Sequence, residues 1–278
     1  MKKKIKKIFI IGSSGSLAKQ IIKKLENKFL LTKISRKNID VVLNFKKLKK
    51  VIDKLNPDLI INCIGVTKFL DCEHDPRKAY LANSVFPVNL SRLIKNKNIF
   101  LIHFSTEAVF EDNLKELPNE NYPPNPSTVY GNSKYLADKS LIKAKNCLVV
   151  RLPTLIGPTQ NHQIVNKIIK KLFKGDLAHV SKDVYSTPIN TIDFSNFLES
   201  EIISKKKFHK KKIIHICSKK RLSTYQIIKL AVKEKKMRQN IIPVSESFFK
   251  SKFVKPKKLG LKSIYKECNR YFIYECNL

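Results

Sequence analysis

The sequence predicts an α/β fold, a doubly wound parallel sheet with a small second lobe, on three observations. Apolar runs of strand length recur along the 278 residues, helix-period segments separate them, and neither an internal repeat nor a low-complexity linker breaks the alternation. Strands that read as near-continuous apolar runs are buried on both faces, as in a parallel sheet covered by helices on each side.

The first run, Ile8 to Ile11, ends in Gly12-Ser13-Ser14-Gly15-Ser16-Leu17-Ala18 and opens a helical pattern over Leu17 to Leu25. Leu30 to Ile34 follows as a strand and Leu48 to Leu55 as a helix, then the strands Leu59 to Ile64 and Ile99 to Phe104 with the helix Pro87 to Ile94 between them. Tyr130 to Ile142 is the next helical pattern and Leu148 to Leu152 the next strand; the turn-rich stretch Glu116 to Ser127 sits where an active-site rim is expected. After Leu152 the pattern changes. An amphipathic stretch, Ile164 to Leu172, leads to a return toward the sheet at Ile192 to Ile203 and Ile213 to Cys217, then to one helix, Tyr225 to Val232, and an irregular basic end. The expected division is a sheet domain of residues 1–153 plus 189–221 and a lobe of 154–188 plus 222–278, with a ligand in the cleft between them.

Composition sets the outer limits. With 42% hydrophobic residues and 28% charged ones, the chain can bury a real core, which excludes disorder and collagen-like repeats. The formal net charge of +34 comes from 49 Lys and only 7 Arg. A phosphate-gripping surface favours arginine, whose planar fork binds bidentately. The lysines are scattered, densest at Lys2 to Lys7, Lys205 to Lys207 and Lys210 to Lys212, and accompany abundant Ile and Asn, the residues an AT-rich genome supplies. Composition, rather than a nucleic-acid partner, therefore accounts for the charge. The six cysteines form no CxxC pair and read as buried reduced thiols. The basic start, Met1 to Lys7, is followed by an apolar run that stops at Gly12, too short for a secretory leader, and no stretch approaches a membrane span. A cytoplasmic protein is expected. The histidines His74, His103, His162, His179, His209 and His215 show no metal-ligand spacing; no metal is expected, and His103 reads as a core residue.

A glycine turn at the first strand-to-helix junction points to a dinucleotide and a Rossmann-type sheet. Gly12 permits the turn, Gly15 lets backbone approach a pyrophosphate, and Ala18 lets helix pack on strand. The free N–H groups at the helix start, with Ser14, Ser16 and Leu17 around them, favour phosphate. The second strand ends in Ser35-Arg36-Lys37 with no acid for a ribose 2′-OH. Arg36 would meet a 2′-phosphate, so NADP(H) is preferred, with NAD(H) as the second choice.

Tyr130 and Lys134 stand four apart on one helix face. A neighbouring ammonium would lower the tyrosine pKa and fit Tyr130 for proton transfer near neutral pH. Ser105-Thr106 ends the Ile99 to Phe104 strand, where open α/β sheets place ligands, and a hydroxyl there can bond a substrate carbonyl and share the proton with Tyr130.

These motifs resemble the extended short-chain dehydrogenase/reductases, and within them the dTDP-4-dehydrorhamnose reductase-like sugar-nucleotide group. The resemblance lies in Gly12-x-x-Gly15-x-x-Ala18, Pro57-Asp58-Leu59-Ile60-Ile61-Asn62-Cys63 and His103-Phe104-Ser105-Thr106-Glu107-Ala108-Val109-Phe110. It continues through Glu120, Pro124-Asn125-Pro126, Val129-Tyr130-Gly131-Asn132-Ser133-Lys134 and Arg151, and reaches to about residue 235. It implies a reductase that passes hydride to the 4-keto group of a nucleotide-linked deoxysugar for surface polysaccharide. Tyr130 would protonate the alkoxide, Lys134 would hold the nicotinamide ribose, and Thr106 would orient the carbonyl. Ser105, Cys63, Ile64 and Gly65 would line the cofactor, Asn44 and Phe45 would lie near the adenine, and Asn83 would fall in a flanking helix. Thr67 and Glu107 join Thr106 and Tyr130 as expected substrate contacts. The group commonly has Ser-Thr-Asp-Tyr-Val-Phe where this chain has Glu107-Ala108, and Asp where Asn44 stands; the tail from Leu222 matches poorly.

Two other outcomes stay open at this level: an epimerase of the same group, and a non-catalytic NADP-binding regulatory subunit, which the Glu107-Ala108 pair favours and the intact Thr106, Tyr130 and Lys134 oppose. Monomer and homodimer are both open.

Overall fold

A computed structural model describes residues 5–35, 42, 44–159, 164–234, 236, 240–250 and 256–270. In chain order the first half contains β1 (Lys7–Ile11), α1 (Ser16–Leu25), β2 (Leu30–Ile34), α2 (Phe45–Leu55), β3 (Leu59–Asn62), α3 (Phe69–His74) and α4 (Pro76–Tyr80). A π-helical stretch, Leu81–Val85, then leads into α5 (Phe86–Leu93), followed by β4 (Phe100–Thr106), α6 (Val129–Leu141) and β5 (Cys147–Leu152). The second half holds β6 (Leu155–Ile156), α7 (Ile164–Phe173), β7 (Ala178–Ser181), β8 (Tyr185–Ser186), β9 (Ile189–Asn190) and α8 (Thr191–Phe197). It closes with β10 (Ile213–His215), β11 (Cys217–Ser218), β12 (Leu222–Ser223), α9 (Thr224–Glu234), β13 (Ile241–Val244) and β14 (Asn269–Arg270).

Six strands form one parallel sheet in the order β10-β5-β4-β3-β1-β2. From β1 the chain steps to β2 on one side and then back across to β3 on the other. That reversal leaves a crevice beyond the carboxyl ends of β1 and β3, where open α/β sheets bind ligands. β3 is buried at all four positions and β5 at all six, as the unbroken apolar runs require. On one face Ile8, Ile10, Ile61, Ile102, Phe104 and Val150 pack with Ile21 of α1 and Phe194 of α8. On the other, Phe9, Ile11, Ile60, Leu101 and Val149 pack with Leu48 and Ile52 of α2, Leu90 of α5 and Ala137 of α6.

A separate core of Ile156, Val165, Ile169, Leu172, Val180, Ile227, Ile228 and Val232 holds the second lobe together. It brings Ile156 to Val180 together with Ile227 to Val232. The tail divides. β12 pairs with β8 and β13 with β7 in the lobe, whereas β14 pairs with β11 and Cys268 is buried in the core of the main sheet. Arg270 closes this return with two bonds to Asp193, at 3.0 and 2.7 Å. Among the described residues no helix is long and apolar enough to cross a membrane, and Cys63, Cys72, Cys147, Cys217 and Cys268 are free thiols.

Candidate active site

Two glycines shape the site. Gly12 has φ +84°, and a Cβ there would stand 2.9 Å from both the Cys63 carbonyl carbon and the Ile64 nitrogen. Only glycine lets the turn after β1 lie against the end of β3. Gly15 then caps α1 with no side-chain bond to the first-turn amides, so the groups at Ser16 and Leu17 remain available to an acceptor. The second close approach is at Gly131, where a Cβ would stand 2.0 Å from the Ala108 carbonyl oxygen. The start of α6 is thereby seated on the turn that follows β4.

This seating brings Tyr130 to Thr106. The Thr106 side chain lies close enough to the Tyr130 hydroxyl to favour its phenolate, Thr106 Oγ1 accepts from the Ala108 amide at 3.2 Å, and the Tyr130 ring packs edge-on against Phe69 at 5.2 Å. Thr128 caps α6 by accepting from Gly131 N–H at 3.0 Å, and Val129 N–H donates to Glu73 Oε1 at 2.8 Å, which fixes the tyrosine's turn of helix.

Lys134 is buried one turn further on, with Nζ 3.5 Å from His103 Nε2. Burial pulls its pKa down to about 8, against the pull of Asp138 in the other direction. The expectation that Lys134 lowers the tyrosine pKa is corrected here. Burial pushes Tyr130 up to about 12, the nearby Thr106 side chain only partly offsets this, and Cys72, Glu107 and Asp138 push the same way as burial. Tyr130 therefore stands protonated at neutral pH.

The remaining expected residues sort clearly. Gly65 lies within reach of both partners of this centre: a Cβ there would be 3.2 Å from Asn83 Oδ1 and 4.0 Å from Lys134 Nζ, with Thr67 beside it. Cys63 and Ile64 lie against the glycine turn, the Cys63 thiol raised to about 12 by burial. Asn83, on the π-helical stretch, spends its amide on bracing: Oδ1 accepts from Val66 N–H at 2.9 Å, and Nδ2 donates to Val66 O at 2.9 Å and Ser133 Oγ at 3.0 Å. Asn44 Oδ1 caps α2 by accepting from Lys47 N–H at 3.1 Å, so its carbonyl is spent on the helix start, and Phe45 packs on the α2 side of the sheet. Arg36 lies outside the described residues.

Two side chains point elsewhere than expected. The Ser105 hydroxyl donates to Asp138 Oδ2 at 2.9 Å, because strand alternation turns it toward α6, and is not offered to a substrate carbonyl. Glu107 is buried against the second lobe, accepting from Ser186 Oγ at 2.8 and 2.9 Å and from Thr154 N–H at 3.1 Å. It ties the β4 turn to the lobe instead of facing a ligand. Burial raises its pKa to about 7 despite these bonds.

Sequence reasoning missed Asp138 and Asn62. Asp138 accepts from Arg151 Nε at 3.0 Å in a buried ion pair, and the Arg151 guanidinium lies 5.0 Å over the Phe110 ring. An acid four residues beyond Lys134 on the same helix was the available signal. A cavity of about 200 Å³ lined by Ile5, Asp58, Asn98, Phe100, Asn146 and His209 lies at the amino ends of the strands, far from this chemistry.

A family model described as the RmlD substrate binding domain matches residues 6–271. The chain belongs to this family. It is 21% identical over 252 residues to the spore coat polysaccharide biosynthesis protein SpsK of Bacillus subtilis, a match covering 90% of this chain and 87% of that one. Over 144 residues it is 34% identical to the dTDP-4-dehydrorhamnose reductase of Mycolicibacterium smegmatis, covering 50% and 43% of the two chains. Its fold is that of the Bacillus anthracis dTDP-4-dehydrorhamnose reductase solved in complex with NADP, with a TM-score of 0.83 and 23% identity over 94% of this chain and 91% of that one. In this RmlD-family chain the Thr106, Tyr130 and Lys134 constellation sits at the carboxyl edge of the sheet, next to the glycine turn.

Proposed function

We propose that the protein is an NADPH-dependent reductase of the 4-keto group of a nucleotide-linked deoxysugar, acting in surface polysaccharide synthesis. The observation that carries this reading is the Gly131–Ala108 contact, which seats Tyr130 by the buried Thr106 at the end of β4, with buried Lys134 one helical turn further on. Family membership and the names of the relatives support it.

The residues present fit a dinucleotide. Gly12 leaves the space that a Cβ would fill, and the α1 amides at Ser16 and Leu17 are positioned for a pyrophosphate. Lys134 would hold the nicotinamide ribose, and Arg36 a 2′-phosphate, which favours NADP(H) over NAD(H). When bound, the cofactor supplies the hydride. Thr106 and Tyr130 together hold the carbonyl oxygen. As the carbonyl π electrons move onto that oxygen, Tyr130 delivers its proton to it and is reprotonated from solvent. Burial keeps the phenol protonated until the oxyanion forms, so the proton moves only when the transition state asks for it. The free thiols support placing the enzyme in the cytoplasm.

The test is NADPH absorbance in the presence of a panel of 4-keto nucleotide sugars. Oxidation with one of them, giving the 4-hydroxy sugar in equal amount, supports the reading. Binding of NADPH with no oxidation across the panel favours a regulatory subunit, and epimerised product with no net oxidation favours an epimerase.

A further inference from the structure

Asn62 and His103 are register neighbours on β3 and β4, and both are buried. A backbone group orients the Asn62 amide: Ile64 N–H donates to Asn62 Oδ1 at 3.1 Å. Its Nδ2 therefore faces His103 Nδ1, 3.1 Å away. An amide nitrogen only donates, so His103 Nδ1 accepts. Burial keeps the imidazole neutral, its pKa well below the ordinary value. A neutral ring that accepts at Nδ1 carries its hydrogen on Nε2. His103 Nε2–H thus points at Lys134 Nζ, 3.5 Å away. An ammonium has no lone pair to receive it; only the neutral amine completes the contact.

We propose that Asn62 and His103 form a positioning pair that biases Lys134 toward the neutral amine in the free enzyme, and that NADPH binding draws Lys134 off His103 with uptake of a proton. The inference rests on the reading of Lys134 as the group that holds the nicotinamide ribose. Hydroxyls of a ribose accept from an ammonium, so the bound state favours the charged form that His103 opposes.

The other groups facing Lys134 do not supply this control. Asp138 on its own helix pulls toward the ammonium, and its Oδ2 is already taken by Ser105 and Arg151. Cys63 after β3 and Cys72 on α3 have thiols raised to about 12 and about 11, so both are uncharged at neutral pH. With Lys134 at about 8 in the free protein, roughly half of the molecules would gain a proton on binding at pH 8.

Two measurements on the full chain test the pair. Nitrogen-15 NMR of histidine-labelled protein, with the His103 signals assigned by their loss in His103→Gln, should show a protonated Nε2 and an unprotonated Nδ1; the opposite tautomer overturns the proposal. Calorimetry of NADPH binding at pH 8, in buffers of different ionisation enthalpy, should show uptake of about half a proton in the wild type and none in Lys134→Met. In Asn62→Asp one carboxylate oxygen keeps the Ile64 amide while the other accepts from Nδ1–H. The tautomer reverses, Nε2 accepts from the ammonium, and uptake should fall toward zero. Uncharged Asn62→Ala, which frees the tautomer without adding charge, should lower uptake in the same direction. NADPH that binds the wild type without proton uptake, or uptake unchanged in both Asn62 variants, contradicts the proposal. NADPH that fails to bind contradicts the reductase reading itself, and the tautomer still decides the orientation of the pair.

Discussion

Gly131 meets Ala108 so closely that a single methyl group at 131 would stand 2.0 Å from the Ala108 carbonyl oxygen. The contact clamps the first turn of α6 to the turn after β4 and so sets the distance between Tyr130 and Thr106. Gly131→Ala is expected to lower stability by about 3 kcal/mol, the upper end of the cost of overpacking, and to part the two hydroxyls. Thermal melting reads the first effect and turnover the second. A variant that melts with the wild type removes the clamp from the account.

Glu107 predicts a pH signature. Its carboxyl titrates near pH 7 in the fold against an ordinary 4.5, with burial as the largest cause. Between those values the folded chain binds more protons than the unfolded one. The contribution of Glu107 to stability is therefore greatest below about pH 4.5 and falls as pH rises to about 7. Glu107→Gln keeps an acceptor for Thr154 and Ser186 without a charge to bury. Its melting temperature should lack that fall and exceed the wild type's at pH 8. A wild-type profile that matches the variant's between the two values contradicts the assignment.

Arg151 and Asp138 form an ion pair that is 4% and 1% exposed. Arg151→Met leaves the Asp138 carboxylate buried without its charge partner and should cost about 3–5 kcal/mol. Adding Asp138→Asn should recover part of that loss. Denaturant unfolding of the single and double variants measures the difference, and equal stabilities would show that the charges are not coupled.

Gly12→Ala addresses the cofactor turn. The residue would face both a positive φ and the backbone at the end of β3, 2.9 Å away. Affinity for NADPH should fall at least about tenfold, a loss near 1.4 kcal/mol or more. Fluorescence titration measures it, and unchanged affinity separates the turn from the cofactor.

The strands and most helices were legible because burial on both faces writes a continuous apolar run, as in Leu59 to Ile64, and an amphipathic helix writes its own period, as in Ile164 to Leu172. Gly12, Thr106, Tyr130 and Lys134 were legible as an ordered set. Side-chain direction was not. Ser105 and Thr106 are adjacent in sequence and face different partners, a consequence of strand alternation and of where β4 ends. Nor could composition foretell that burial would raise the Tyr130 pKa to about 12. The return of β14 to β11 depends on long-range docking: Glu120 accepts from His215 N–H at 2.8 Å and from Ile264 N–H at 2.9 Å across the fold, and no local pattern records this. Some of the lysines form surface pairs, such as Lys97 with Asp53 at 2.8 Å and Lys207 with Glu267 at 2.6 Å. Lys134 stands apart from these in being buried, with Nζ 3.5 Å from His103 Nε2.

We propose the Tyr130 phenol as the donor of the proton in a reduction driven by NADPH. Comparing Tyr130→Phe with the wild type, by NADPH titration and by turnover on the 4-keto nucleotide sugar that the panel identifies, tests it most directly. The account predicts NADPH affinity within about twofold of the wild type and turnover lower by at least about a hundredfold, the scale of a lost general acid. Turnover retained at the wild-type rate would contradict it.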